Sequence, residues 1–236
     1  MKIYFVGAGP GDPELITVKG RRLIEEADLI IYAGSLVNPK LLEGLRAELV
    51  DSSQLSLEKT TKLVLEALSI EKRVVRLHSG DPSLYGAILE QMQPLEYAGV
   101  EVEVVPGVSS LFAASAALKI QLTLKGVSES LIITRPAGTT LEEDDLASLS
   151  RHGSTMAIFL ATDKIGVVMR SLKLPAETPV AVVFHASWPD QRVLMGNIEN
   201  IAQQVEKAGI DRSALILVGG VLKRSGFRRS HLYRNR

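Results

Sequence analysis

The sequence predicts an α/β fold of two domains, a mostly parallel N-terminal sheet and a mixed C-terminal one, with a cleft between them. Three observations predict it. Short β-branched runs alternate with helical stretches from Lys2 to Leu118. These runs end in loops of Gly, Ser, Asp and Pro. Past Leu118 the periodicity lapses over residues 119–128, and a second alternation then begins. The expected division is therefore residues 1–118, a linker over 119–128, and a second domain over 129–236.

Composition sets the bounds. With 236 residues, 46% hydrophobic and 23% charged, the chain can bury two real cores. Lys+Arg and Asp+Glu number 27 each, so no global field draws the chain to nucleic acid or to a membrane. The absence of cysteine excludes disulfides, thiolate metal sites and thiol nucleophiles. The chain runs straight into a strand with no leader pattern, and no apolar run nears about 18 residues. A soluble, cytoplasmic protein is the expectation.

The first strand, Lys2–Val6, enters Gly7-Ala-Gly-Pro-Gly-Asp-Pro13, and a helix is expected from about Glu14 to Ala27. The spacing Gly-x-Gly-x-Gly is not that of a dinucleotide loop, and Pro10 and Pro13 remove amides that would hold a pyrophosphate. No Gly-Lys-Ser/Thr follows, so a P-loop is also excluded. Three glycines still let the main chain approach a ligand, with Asp12 at the rim, where it could equally cap a helix. Leu29–Tyr32 is the next strand and Glu58–Leu68 a helix.

Val74–His78 ends in a second such loop, Ser79-Gly-Asp-Pro-Ser-Leu-Tyr-Gly86. Pro82 suits a first helical turn with Asp81 as its cap, so the helix is expected over Leu84–Tyr97. His78, alone at a strand end, reads as structural. Val102, Val104 and Val105 form a strand stopped by Pro106-Gly107, after which Ser109 or Ser110 caps a helix of Ala, Ser and Leu. Because these loops all follow strands of one mostly parallel sheet, they should share one edge, where such sheets bind ligands.

In the second half, Ser130–Thr134 ends in Arg135-Pro-Ala-Gly138, and a short helix falls over Glu142–Leu149. Thr155–Leu160 is followed by Ala161, and Val180–Phe184 by His185-Ala-Ser-Trp-Pro189. A strand over Arg192–Met195, a helix over Ile198–Ala208 and a last strand over Ala214–Val218 complete the chain. The Gln-Arg-Val-Leu-Met step implies some antiparallel pairing.

Gly7-Ala-Gly-Pro-Gly-Asp-Pro-Glu-Leu-Ile-Thr17, Ser79-Gly-Asp-Pro82 and Val105-Pro-Gly-Val-Ser-Ser110 together resemble the signatures of the tetrapyrrole methyltransferases. Tyr32-Ala-Gly-Ser-Leu-Val-Asn-Pro39, His78–Gly86 and His185-Ala-Ser-Trp-Pro-Asp190 resemble the precorrin-4 C(11)-methyltransferase branch of that family. The resemblance spans nearly the whole chain and departs from the pattern after Arg135-Pro-Ala-Gly138 and in the tail.

It implies a homodimeric enzyme that binds S-adenosylmethionine (SAM) in the cleft and releases S-adenosylhomocysteine. It implies cofactor contacts at Pro10, at Ser79, Gly80, Asp81 and Leu84, and at Ser109 and Ser110. From the second domain it implies Leu160 and Ala161, Ala186 and Ser187, and Ala214 with Leu215. The partner implied is a small tetrapyrrole, with no nucleic acid, no membrane and no metal site in the protein. Candidates for a proton-accepting group are Asp12, Asp81, Tyr85 and His185. Arg135 is the candidate for meeting substrate carboxylates. The alternatives are a methylase of the uroporphyrinogen III or precorrin-2 type, or an RNA methylase. The latter would use the basic tail, Lys223–Arg236.

Overall fold

The protein is described from a computed structural model that covers residues 1–138 and 141–229. The chain divides into two compact units, Met1–Ser110 and the part from Leu111 onward.

The first unit is built on five parallel strands: β1 (Lys2–Gly7), β2 (Leu29–Tyr32), β3 (Glu48–Asp51), β4 (Val74–His78) and β5 (Glu101–Val105). Their order is β3-β2-β4-β1-β5. Helices α1 (Val18–Glu25), α2 (Leu57–Ser69) and α3 (Ile88–Tyr97) cover it. Alternation along β1 sends Ile3 and Phe5 to one face, with Val64 of α2 and Leu95 of α3. Val6 goes to the other face, with Leu23 and Ile24 of α1. Both faces are thus buried, as parallel sheets require. The connections leaving β1 and β4 run to opposite sides of the sheet, which opens a crevice at the carboxyl ends of these neighbours.

Three details differ from expectation. Strand β3 was not foreseen. It is a four-residue edge strand, mostly exposed, with too short an alternation to register. Helix α1 starts at Val18, not Glu14, because the Thr17 hydroxyl accepts the Gly20 N–H at 3.1 Å. Asp12 instead caps a 3-10 turn over Pro13–Leu15, accepting the Glu14 N–H at 2.9 Å. Helix α3 starts at Ile88 rather than Leu84, because Tyr85 and Ala87 hold φ of 57° and 47°, outside the right-handed helical region.

The second unit holds a mixed sheet of β6 (Leu131–Thr134), β7 (Thr155–Ile158), β8 (Pro179–Phe184), β9 (Arg192–Asn197) and β10 (Ala214–Val218). The order is β6-β7-β10-β8-β9. β6 and β7 are parallel, β10 is antiparallel to both its neighbours, and β8 and β9 are antiparallel. The Arg192 strand is therefore paired as expected. Its helices are α4 (Ser110–Leu118), α5 (Leu146–Leu149), α6 (Ile165–Ser171) and α7 (Ile201–Lys207). One face of the sheet packs on α6 and α7 through Val168, Met169, Ile201 and Val205.

The small-residue helix α4 was expected in the first half. It buries Leu111, Ala113 and Ala114 against Ala157, Ala181 and Leu217 of the second sheet. The stretch 119–128, expected as a linker, is docked on β7. Leu122 is buried, its carbonyl accepts the Thr155 hydroxyl at 2.8 Å, and the Ser128 hydroxyl accepts the Thr155 N–H at 2.8 Å. Of the basic tail, Arg228 donates its backbone N–H to the Lys125 carbonyl at 2.9 Å. Residues 230–236 of the tail lie outside the described residues. Among the described residues no helix is long and apolar enough to cross a membrane, and no His/Asp/Glu cluster could hold a metal ion.

Candidate active site

The three glycine-bearing loops of the first unit meet at one edge, because β4, β1 and β5 are adjacent and parallel. The Ala8 N–H donates to the His78 carbonyl at 2.7 Å. Gly9 and Gly80 exchange two backbone hydrogen bonds, of 3.3 and 2.8 Å. Gly107 lies so close that a Cβ on it would fall 2.1 Å from the Gly80 carbonyl oxygen and 2.8 Å from Gly7 Cα. A Cβ on Gly7 would meet Gly107 Cα and the Gly80 oxygen, each at 2.6 Å. The glycines are thus required by the crossing of three backbones. Pro10, Ser79, Gly80, Asp81, Ser109 and Ser110 all belong to these loops. Pro10, Gly80 and Ser109 are buried, Ser79 is exposed, and Leu84 is half-buried in the turn that follows.

Asp81 ties two of the loops together. One carboxylate oxygen accepts the Ser83 N–H at 2.8 Å and the other accepts the Gly107 N–H at 2.9 Å. It caps its own turn rather than a helix, and it clamps the β5 loop to the β4 loop. Both oxygens are engaged by backbone amides, which suits a positioning group better than a proton acceptor.

Beneath the β4 loop lies a buried polar pair on one face of β4. The Arg76 Nε donates to Gln91 Oε1 at 2.8 Å, and a terminal nitrogen donates to the Ile31 carbonyl at 3.2 Å. Gln91 in turn donates to the carbonyls of Gly86 and Ala87, each at 3.2 Å, which braces the end of that loop. Burial lowers the Arg76 pKa to about 10, so the guanidinium stays charged at neutral pH.

His78 is structural as expected, but its Nε2 is buried with no hydrogen-bond partner among the described residues. Its ring stacks on Phe5 at 5.7 Å. Burial first, and the Arg76 charge second, push its pKa down to about 3. The unfolded chain binds a proton at its ordinary pKa near 6.5 and the folded chain does not. This contribution to stability is whole above pH 6.5 and is lost as pH falls toward 3. Between pH 6.5 and 5 the expected loss is about 2 kcal/mol, at about 1.4 kcal/mol per pH unit. Urea-unfolding midpoints across that range should flatten in His78→Phe, and an unchanged slope would contradict the assignment.

In the second unit, the ends of β6, β7 and β8 and the start of β10 share one edge. Arg135, Leu160, Ala161, His185, Ala186, Ser187 and Ala214 all lie there. The Phe159 N–H donates to the Thr134 carbonyl at 2.9 Å, and the His185 N–H to the Ser213 carbonyl at 3.1 Å. Leu160, His185, Ser187 and Ser213 all hold positive φ, of 52°, 47°, 73° and 54°. Each costs about 1–3 kcal/mol in a residue with a Cβ, and such outliers collect at functional sites. Leu160 is also 60% exposed, an apolar side chain held in a strained backbone. Leu215 differs from its neighbours: at 3% exposure it points into the core on the α4 side of the sheet.

His185 is held in a stack. Its ring lies 3.8 Å from Phe184 and 5.0 Å from Trp188, and the Arg192 guanidinium sits 4.7 Å over Phe184. The His185 Nδ1 meets both Asp190 oxygens, at 3.0 and 2.9 Å. That contact lowers the Asp190 pKa. Asp190 was part of a quoted motif but not a candidate, because a carboxylate five residues from a histidine carries no fixed spacing signal. Gln91 and Asn38 were likewise missed. The Asn38 amide donates to the Gly11 carbonyl at 2.7 Å, a contact between distant segments.

A glycine-built sheet edge in one α/β unit, and a strand-end edge of positive-φ residues in the other, define an α/β protein whose tightest and most strained backbone gathers at strand ends. The pattern defining the Tetrapyrrole (Corrin/Porphyrin) Methylases matches residues 2–202, and the chain belongs to that family. A cobalt-precorrin-4 C(11)-methyltransferase from Methanocaldococcus jannaschii is 53% identical over 98% of this chain and 92% of its own length. The solved structure of a cobalt precorrin-4 methyltransferase of cobalamin biosynthesis superposes with a TM-score of 0.91 at 40% identity, covering 94% of this chain and 95% of that one. The uroporphyrin-III C-methyltransferase of Thermus thermophilus, solved in complex with S-adenosylhomocysteine, gives 0.82 at 30% identity, covering 95% and 100%.

Proposed function

We propose that this chain is a SAM-dependent C-methyltransferase that methylates precorrin-4 or cobalt-precorrin-4 at ring carbon 11, in the biosynthesis of corrins such as cobalamin. The observation that carries the reading is the crossing of three glycine loops at the carboxyl edge of the sheet, where Gly7 and Gly107 let the backbones of the β1, β4 and β5 loops pack directly on one another. The likeness to relatives named for that reaction and to a neighbour solved with S-adenosylhomocysteine supports it. The residues suit a neutral adenine and an amino-acid moiety, which backbone groups and small side chains can hold without a charged clamp. Pro10, Ser79, Gly80, Asp81, Leu84, Ser109 and Ser110 would hold the cofactor from the first unit. Leu160, Ala161, Ala186, Ser187, Ala214 and Leu215 would do so from the second, with Leu215 acting through its backbone.

When bound, the sulfonium supplies an already activated methyl for an electron-rich ring carbon, so no side chain need be a nucleophile. What remains for the protein is to orient the partners, exclude water and receive a ring N–H proton. We assign that proton to His185, because the Asp190 contact at Nδ1 leaves Nε2 as the ring nitrogen to accept it. Asp12 and Asp81 serve backbone amides instead, Tyr85 stands on the β4 turn, and Arg135 would meet substrate carboxylates. The protein acts as a cytoplasmic homodimer in this reading.

Calorimetry should show saturable S-adenosylhomocysteine binding, and mass-resolved products should show one methyl added to precorrin-4 or its cobalt form. No binding to clean protein would defeat the assignment. A product formed only from uroporphyrinogen III or precorrin-2 would move it to the branch of the Thermus neighbour.

A further inference from the structure

We infer that Asn38 is a positioning residue for the cofactor loop: its buried amide fixes the Gly11 carbonyl and so holds the shape of Gly7–Pro13. The inference rests on the proposed SAM site, which that loop would line. Asn38 is only 7% exposed, and each end of its amide has a different duty. Its Oδ1 accepts the Lys40 N–H at 3.1 Å, capping the 3-10 turn Pro39–Leu41. Its Nδ2 donates to the Gly11 carbonyl at 2.7 Å, across 27 residues of chain. A group that must both accept and donate can be neither an ionised Asp nor Leu.

The loop needs such a hold. Pro10 and Pro13 have no N–H to give, and backbone bonds grip it at Ala8, to His78, at Gly9, to Gly80, and at Asp12, whose carbonyl accepts the Leu15 N–H. Between those points the Asn38 amide holds Gly11. Gly9, at φ 80°, holds a conformation open mainly to glycine.

The test is Asn38→Asp in the full chain. The carboxylate keeps the Lys40 cap but faces the Gly11 carbonyl with a lone pair. Protonated, it can donate again. Calorimetry with S-adenosylhomocysteine should show affinity about tenfold weaker than wild type at pH 8, with recovery toward wild type at pH 5.5. Amides of Gly9, Gly11 and Asp12 should exchange faster at pH 7.5, while those of β1 stay protected. Asn38→Ser, which keeps a capping oxygen but cannot reach Gly11, should show the same loss with no recovery at low pH. It serves if the aspartate variant does not fold.

Wild-type affinity and exchange in both variants, or an equal loss at both pH values in the aspartate variant, would overturn the inference. If wild-type protein itself fails to bind S-adenosylhomocysteine, the functional proposal falls. The exchange rates then decide the role of Asn38 on their own.

Discussion

Replacing Gly107 by alanine should cost about 3 kcal/mol and lower the Tm by roughly 6–12 °C. The reason is geometric. The added methyl would lie 2.1 Å from the Gly80 carbonyl oxygen and 2.8 Å from Gly7 Cα, and both obstacles are main chain. A flexible side chain could swing aside, whereas here three strand ends would have to part. Gly80 and Gly9 are joined by two backbone bonds, so the displacement would spread to the first loop and weaken S-adenosylhomocysteine binding as well. Gly99→Ala is the matched control. Gly99 has a φ of 78° but nothing within 4 Å of an added Cβ, so only backbone strain applies, about 1–2 kcal/mol. Thermal unfolding of both variants separates the effects. Equal losses would mean that the crossing of the loops is not as tight as described.

Asp81→Ala should weaken S-adenosylhomocysteine binding about 100-fold, near 3 kcal/mol, through loss of two charge-assisted bonds. The Gly107 amide would lose its partner, and the β5 loop would lose its tie to the β4 loop. Asp81→Asn keeps one accepting oxygen and should lose only about tenfold. A proton-transfer role predicts a different pattern: the asparagine variant would bind normally and turn over poorly. Affinity lost in the order alanine then asparagine, with kcat at saturation little changed in the asparagine variant, supports the clamp. A kcat that collapses with binding intact would return Asp81 to the chemistry.

The two effects share an origin. The position of a loop backbone is set by the side chains that hydrogen-bond to it. Asp81 and Asn38, with Gln91 bracing Gly86 and Ala87, do this for separate loops. In the second unit, residues with a Cβ hold positive φ at strand ends, at Leu160, His185 and Ser187.

Much of the frame was legible in the residues. Strands β1, β2, β4 and β10 fall where β-branched and apolar runs do, since strands buried on both faces read as near-continuous apolar runs. The loop glycines were visible too, because glycine between apolar runs is rare unless backbone needs it. What escaped was set by single hydrogen bonds or by exposure. Thr17, not Asp12, starts α1. The turn at Tyr85–Ala87 delays α3 to Ile88. Edge strand β3 buries too little to show a pattern. The stretch 119–128 has no period because it packs through Leu122 and two hydroxyl bonds to Thr155, not through a regular face.

By itself the sequence determined the α/β class, the strand-end loops and the kinship with tetrapyrrole methylases, for these follow from local patterns of size and polarity. Only the tertiary structure decided which loops touch, that Asp81 bonds Gly107 and Asn38 bonds Gly11, that His185 is paired with Asp190, and that α4 packs on the second sheet. Apart from the His185–Asp190 pair, five residues apart, these contacts join residues far apart along the chain. Their partners are chosen by strand order and register, which no local pattern records.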